Sequence, residues 1–331
     1  MKKIVTFGEV MMRLSPPGFE RFTQTTTLDI AFGGTEANVA VSLAHFGYEA
    51  AHVTRFPDHP LGHSAVSYLR QFGVDTRHIR YGDGRLGLYF LETGAASRAS
   101  QIVYDRIDSA FMRIQADEFD WETILQGADW FHWTGITPAL SQGAADCLLT
   151  AIQTANRLGV PVSGDPVYRS NLWQYGKRPQ EVIPALTEGC TLVLGNAGLF
   201  AHLYDIQEKD NEAAAQALRH QFPKVRYVTD TNREQLSASH NRLSAWLYDK
   251  ERAYQSRTYD IQPIVDRIGT GDAYMAGLIY GLLTYADPQQ ALEFGVAASV
   301  LKHTILGDAN IASVSEVNTL VQGDTSGKLK R

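Results

Sequence analysis

Short apolar runs alternate with helical patterns along most of the chain. Residues 4–8 read as a strand. Across 36–46, Val39, Leu43 and Phe46 fall on one face of a helix that Gly47 ends. A second strand follows at 50–55 and a second helix at 61–72. The grammar returns mid-chain with a strand at 130–134 and a helix that Ser141 caps, running to Leu158 with Gly159 just past its end. Further strands are expected at 160–163, 191–194 and 225–229. A last helix, from 288 to about 303, opens with Asp287 as cap and Pro288 at its first position. Such alternation predicts an α/β fold, a mostly parallel central sheet with helices on both faces. Right-handed crossovers then gather the carboxyl ends of the strands along one edge, where ligands bind.

One segment departs from this grammar. Residues 86–92 and 101–106 read as two strands joined through Thr93-Gly94-Ala95-Ala96-Ser97, and they carry Tyr89, Tyr104 and Arg106. An inserted hairpin can serve as a lid over the ligand edge or as an edge for packing and subunit contact, and the two uses are compatible. No internal repeat or linker stands out. The polar tail 323–331 is expected to fray.

Composition narrows the functional classes. The 331 residues carry 30 Lys and Arg against 36 Asp and Glu, a net charge of −6. That balance speaks against a general nucleic-acid or membrane-surface binder, though not against a local cationic pocket. Cys147 and Cys190 read as reduced thiols of a cytoplasmic protein. The opening Met1-Lys2-Lys3 briefly resembles a signal segment, but Glu9 and Arg13 interrupt it. No apolar run is long enough to span a bilayer. The histidines suggest no metal site built by the protein, and His132, between Trp130 and Trp133, reads as core or wall.

Two segments carry chemistry. In Asp266-Arg267-Ile268-Gly269-Thr270-Gly271-Asp272-Ala273-Tyr274, the glycines free the backbone for a sharp turn, and an apolar helix with small residues Ala273, Ala276, Gly277 and Gly281 follows. The N–H groups at that helix start make an anion site. Asp272 is then a general base for a substrate hydroxyl, or simply a helix cap. The second segment, Phe32-Gly33-Gly34-Thr35-Glu36-Ala37-Asn38, again sets paired glycines before a helix, with Asn38 placed to meet a polyol. Neither a Walker-type phosphate loop nor a dinucleotide fingerprint is present, which weakens a dehydrogenase reading.

In this order, the two segments resemble the signatures of ribokinase-like carbohydrate kinases, with Tyr274 where the pattern has Phe. The resemblance extends over the chain and is greatest to the 2-keto-3-deoxygluconate kinases. The stretches 33–40, 87–92, 104–106, 134–141, 168–173, 302–304 and 307–310 carry that narrower match. It implies a single kinase domain over 1–331, with a lid from about 86–107 and parts of 10–32. It implies that Gly33, Gly34, Asn38, Tyr89, Tyr104, Arg106 and Arg169 contact a sugar acid, that Asp272 is the base, and that Gly269, Thr270 and Gly271 form the anion hole. It places Asn196, Thr229, Gly271 and Asn310 on the nucleotide side, with ATP as cofactor and Mg²⁺ carried by it. It also implies a homo-oligomer, a dimer or higher, through the lid. Arg106 and Arg169 suit a carboxylate, which an arginine fork can bind with two hydrogen bonds. Two departures from the family pattern stand out: Val167 sits where relatives often have Asn, and 229–234 lacks the glycines common in nucleotide loops. The alternatives are a kinase for a neutral sugar such as fructose, and a non-catalytic sugar or nucleotide sensor.

Overall fold

The computed structural model of the protein describes residues 1–324, so the tail at 325–331 lies outside the described residues. The main sheet has nine strands. Its order is Ala253–Gln255, His240–Tyr248, Tyr227–Ser237, Leu192–Leu194, Val162–Asp165, Trp130–Thr134, Lys3–Phe7 and Glu49–Val53, with Tyr259–Ile261 also paired to His240–Tyr248. From Tyr227–Ser237 to Glu49–Val53 the pairing is parallel, and beyond it antiparallel. Alternate strand residues feed two apolar layers. Ile4, Trp130 and Leu192 pack to one side, Val5, Phe131 and Val193 to the other. Helices cover both layers, which accounts for strands that are apolar throughout.

Local signals set the helix ends. Ser141 accepts from the Ala144 N–H and caps Gln142–Arg157. Asp287 accepts from Gln289 N and caps Pro288–Lys302. The helix Thr270–Thr284 is buried along most of its length. It presses on Pro288–Lys302 so closely that a Cβ at Gly277 would stand 2.8 Å from the Gly295 Cα.

A separate sheet rises over one end of the body, in the order Asp29–Gly33, Met11–Ser15, Leu88–Glu92 and Gln101–Asp105. The expected hairpin is its outer half, Leu88–Glu92 antiparallel to Gln101–Asp105.

Three strands differ from expectation. The run at 50–55 breaks at Thr54 into Glu49–Val53 of the main sheet and Arg55–Pro57, which pairs with Arg80–Gly82. The run at 160–163 becomes Val162–Asp165, because the strand carries on into the polar residue that reaches the ligand edge. The strand expected at 225–229 is Tyr227–Ser237, running well past the body in an antiparallel ribbon with His240–Tyr248. Its outer residues are largely exposed, so no apolar alternation marks them.

Candidate active site

The cleft lies where the parallel strands end and two helices begin. Val162–Asp165 delivers Asp165 to its floor. The helices Thr35–His45 and Thr270–Thr284 point their N-termini into it, behind Gly34 and Gly269. Tyr89, Ile102, Tyr104 and Arg106 of the small sheet and its flank form one wall. The cavity holds about 610 Å³.

Gly33, Gly34, Asn38, Tyr89, Tyr104, Arg106, Arg169, Gly269, Thr270, Gly271 and Asp272 all line this one space. Gly269 has φ +75°, in the left-handed region, and a Cβ there would collide with the Asp308 carbonyl. A Cβ on Gly33 would strike the Asp308 carboxylate, so glycines of both segments close on a single residue. By contrast Gly271 faces open space, leaving its backbone approachable.

Asp272 stands in the first turn of its helix, where the cap position belongs to Gly269. Its Oδ2 accepts from Asn38 Nδ2 at 2.7 Å. Part of its surface opens to the cleft, yet protein fills the space around it. Burial pushes its pKa up to about 8; Asn38 pulls it down, while Asp165, Glu36 and Asp308 push it up. Asp165 is raised to about 7, again chiefly by burial, with Arg169 opposing. Glu36 is buried, and its Oε1 accepts from Thr134 N at 3.1 Å and from the Thr134 and Thr137 hydroxyls at 2.8 Å. Its pKa too is raised by burial, against those bonds.

Beneath the small sheet lies a charged cluster that no sequence spacing announced. Arg13 Nη1 sits 2.7 Å from Asp266 Oδ2 and 2.8 Å from Asp308 Oδ1. The Tyr89 hydroxyl donates to Asp308 Oδ2. Asp266 in turn accepts from Ile268 N at 3.0 Å and Gly307 N at 3.1 Å. Burial works against the charge on Arg13, but the two carboxylates outweigh it and raise the arginine pKa. The cluster ties strands of the small sheet to the turn before Gly269.

The remaining expected residues sit less simply. Thr229, expected on the nucleotide side, is fully buried, its hydroxyl donating to Trp246 O at 2.7 Å and bonded to the Tyr274 hydroxyl. Asn310 is buried as well, with Oδ1 accepting from Ala312 N at 3.1 Å. Neither lines the cleft; Thr231, two residues along the strand from Thr229, does. Asn196 lines an adjoining space of about 440 Å³ that shares Asp165, Arg169 and Thr231 with the first, and it caps the helix Ala197–Tyr204. Arg106 is not a free cation: its Nε donates to Glu9 Oε2 at 2.8 Å and Nη2 donates to the same oxygen. The exposed Arg169 makes no ion pair among the described residues and donates only to Tyr168 O at 3.2 Å.

No group of three or more His, Cys, Asp or Glu able to hold a metal ion is found among the described residues. His59 and His63 do stand four apart, but His59 Nδ1 caps Leu61 N and His63 Nε2 pairs with Asp58 at 2.9 Å. His132 is buried against the Ser163 hydroxyl at 2.8 Å, and both cysteines are buried and free. Among the described residues no helix is long and apolar enough to cross a membrane.

The chain also matches known proteins along most of its length. The family model described as pfkB family carbohydrate kinase matches residues 1–313. The 2-dehydro-3-deoxygalactonokinase of Haloferax volcanii is 32% identical over 98% of this chain and 98% of its own length. The crystal structure of 2-dehydro-3-deoxygluconokinase from Thermotoga maritima superposes with a TM-score of 0.93 at 41% identity, covering 97% of this chain and 98% of that one. A PfkB family carbohydrate kinase from Listeria grayi gives 0.92 at 34% identity, over 97% and 100% of the two chains.

Proposed function

This chain belongs to the pfkB family of carbohydrate kinases, and from that premise we propose that it transfers the γ-phosphoryl of ATP to the terminal hydroxyl of a 2-keto-3-deoxy sugar acid, with Asp272 as general base. The product from the gluconate isomer is 2-keto-3-deoxy-6-phosphogluconate. The observation that carries the reading is Asp272 itself, a carboxyl on the cleft floor beside the Gly269–Gly271 turn, bonded to Asn38 and tuned to about 8.

The residues present fit a nucleoside triphosphate. A helix N-terminus with an approachable glycine backbone suits the γ-phosphoryl, and the adjoining space beside Asn196 leaves room for the nucleoside. Mg²⁺ comes with ATP, held mainly by phosphate oxygens and water, and supplies charge neutralisation. The protein's own part is positioning. Gly33, Gly34 and Asn38 face the sugar, and Asp272 takes the proton of the attacking hydroxyl. The lid, from about 86–107 and parts of 10–32, closes to exclude water. Because Arg106 is already paired with Glu9, the substrate carboxylate falls chiefly to Arg169. That same pairing favours a second reading, a neutral sugar such as fructose as acceptor. The chain is further proposed to act in the cytoplasm and to assemble through the lid sheet, whose Ile30 and Val103 are 62% and 56% exposed. Mass measurement by light scattering tests the assembly, and a monomer at micromolar concentration would refute it.

The deciding experiment follows ADP release from Mg-ATP with 2-keto-3-deoxygluconate, its C4 epimer 2-keto-3-deoxygalactonate, gluconate and fructose. Turnover confined to the keto-deoxy acids and lost in Asp272→Asn supports the proposal. Turnover on fructose alone moves the assignment to a neutral-sugar kinase. With no turnover on any of them, the proposed reaction is wrong.

A further inference from the structure

The wall of the cleft made by the ribbon strand and the turn before Gly269 carries cations that the mechanism above leaves unused. On strand Tyr227–Ser237, Thr231 and Arg233 share one face, and both line the cleft. Arg267 lines it from the turn leading into Gly269. Among the described residues, the exposed guanidinium of Arg233 makes no ion pair or hydrogen bond. The neighbouring carboxylate, Glu234, belongs to the opposite strand face and pairs with Arg242 at 3.5 Å.

Arg267 is held but not neutralised. Its Nη2 donates to the main-chain carbonyls of Ser237 at 3.2 Å and Ala238 at 2.7 Å. The carboxylate next to it in sequence, Asp266, is occupied by Arg13. Burial, and then repulsion from Arg233, lower the pKa of Arg267. Two like charges on one cleft wall, with no carboxylate paired to either among the described residues, are stabilised by a polyanion that spans them.

The backbone here cannot do this work. Thr229 to Arg233 pair in regular register with Leu247 to Leu243. Successive N–H groups of an extended strand point to opposite sides, so they cannot converge on one phosphate as the amides of a glycine-rich nest do. Recognition on this wall is therefore left to side chains.

Resting on the kinase reading above, we propose that Arg233, with Arg267 beside it, binds the phosphate chain of the nucleotide on its leaving-group side. In the transfer, the bond from the γ-phosphorus to the β–γ bridging oxygen breaks as the sugar oxygen bonds to that phosphorus. The hydroxyl proton passes to Asp272, and the diphosphate leaves with the additional negative charge, which Arg233 meets. Arg233 thereby supplies by side chain what the main chain of this strand cannot.

Calorimetry with Mg-ATP, ADP, adenosine and inorganic tripolyphosphate on wild type, Arg233→Gln and Arg233→Lys tests this. Arg233 is exposed and unpaired, so neither substitution disturbs the fold. We expect Arg233→Gln to bind Mg-ATP and tripolyphosphate about tenfold more weakly, with adenosine unchanged and Arg233→Lys recovering part of the loss. Unchanged ATP and tripolyphosphate affinity in Arg233→Gln, or an equal loss for adenosine, overturns the proposal. The two readings fail separately. Wild type that binds tripolyphosphate through Arg233 but phosphorylates no sugar keeps the site and refutes the kinase substrate assignment. Normal sugar turnover with an unaltered ATP KM in Arg233→Gln does the reverse.

Discussion

A carboxyl that takes a proton from a sugar hydroxyl near neutral pH works best when its own pKa lies close to that pH. Asp272, raised to about 8 chiefly by burial, meets that condition. For the free enzyme, kcat/KM is expected to climb with pH through about 8 and then level off, as a pH–rate profile would record. Asp272→Asn should lower kcat by about 10²–10⁴-fold with the sugar KM little changed. The same shift has a stability consequence. The folded state holds this proton across pH 4–8, where the unfolded chain, with an ordinary value of 3.8, has released it. Stability from this group is therefore lost as pH rises through that window. Melting temperatures should show Asp272→Asn gaining on wild type between pH 5 and pH 9; a constant difference would refute the shift. Asp272 and its glycines were legible in the sequence because a turn-plus-helix pattern is local. Arg13 and Asp308 were not, since no motif joins residues 295 positions apart.

At the scale of elements, what could be read depended on whether the signal was a cap, a period or neither. The strand Trp130–Thr134 and the caps Ser141 and Asp287 fall where the sequence puts them, because capping chemistry and an apolar run are short-range. The ribbon beyond Thr229 was hidden. Its outer residues are exposed and its register comes from the partner strand, so the apolar run marks a strand only as far as Thr229 while the strand continues to Ser237. Two substitutions separate a local from a tertiary contribution. Ser141→Ala removes a cap that does not line the cleft and should cost about 1 kcal/mol with kcat unchanged. Gly277→Val forces a side chain against the Gly295 backbone and should cost about 3 kcal/mol or more. It also moves the helix that carries Asp272, so kcat should fall with stability. Denaturant melts and steady-state kinetics on both variants would test the contrast, and a Gly277→Val protein with wild-type kcat would break the link between helix packing and the anion site.

Across the whole molecule, the small sheet and the body meet at a buried charge cluster. Arg13 and Tyr89 come from strands of the small sheet, Asp266 and Asp308 from loops beside the cleft. Removing the cation leaves two buried carboxylates facing one another, an arrangement that typically costs about 3–5 kcal/mol. Arg13→Met should therefore melt well below wild type. The variant also has a definite pH signature. Asp308 is already raised by burial, with Arg13 opposing the rise. Without the arginine its folded-state pKa climbs further above the unfolded value, and protonation of one carboxylate becomes the way to relieve the repulsion. A raised carboxylate loses stability as pH increases, so the deficit of Arg13→Met should be smallest near pH 5 and widen toward pH 8. If the cluster also sets the lid over the substrate, the sugar KM should rise more than the ATP KM in the same variant. A stability deficit that does not vary with pH would mean that Arg13 acts through packing rather than charge, and equal changes in both KM values would detach the cluster from lid position.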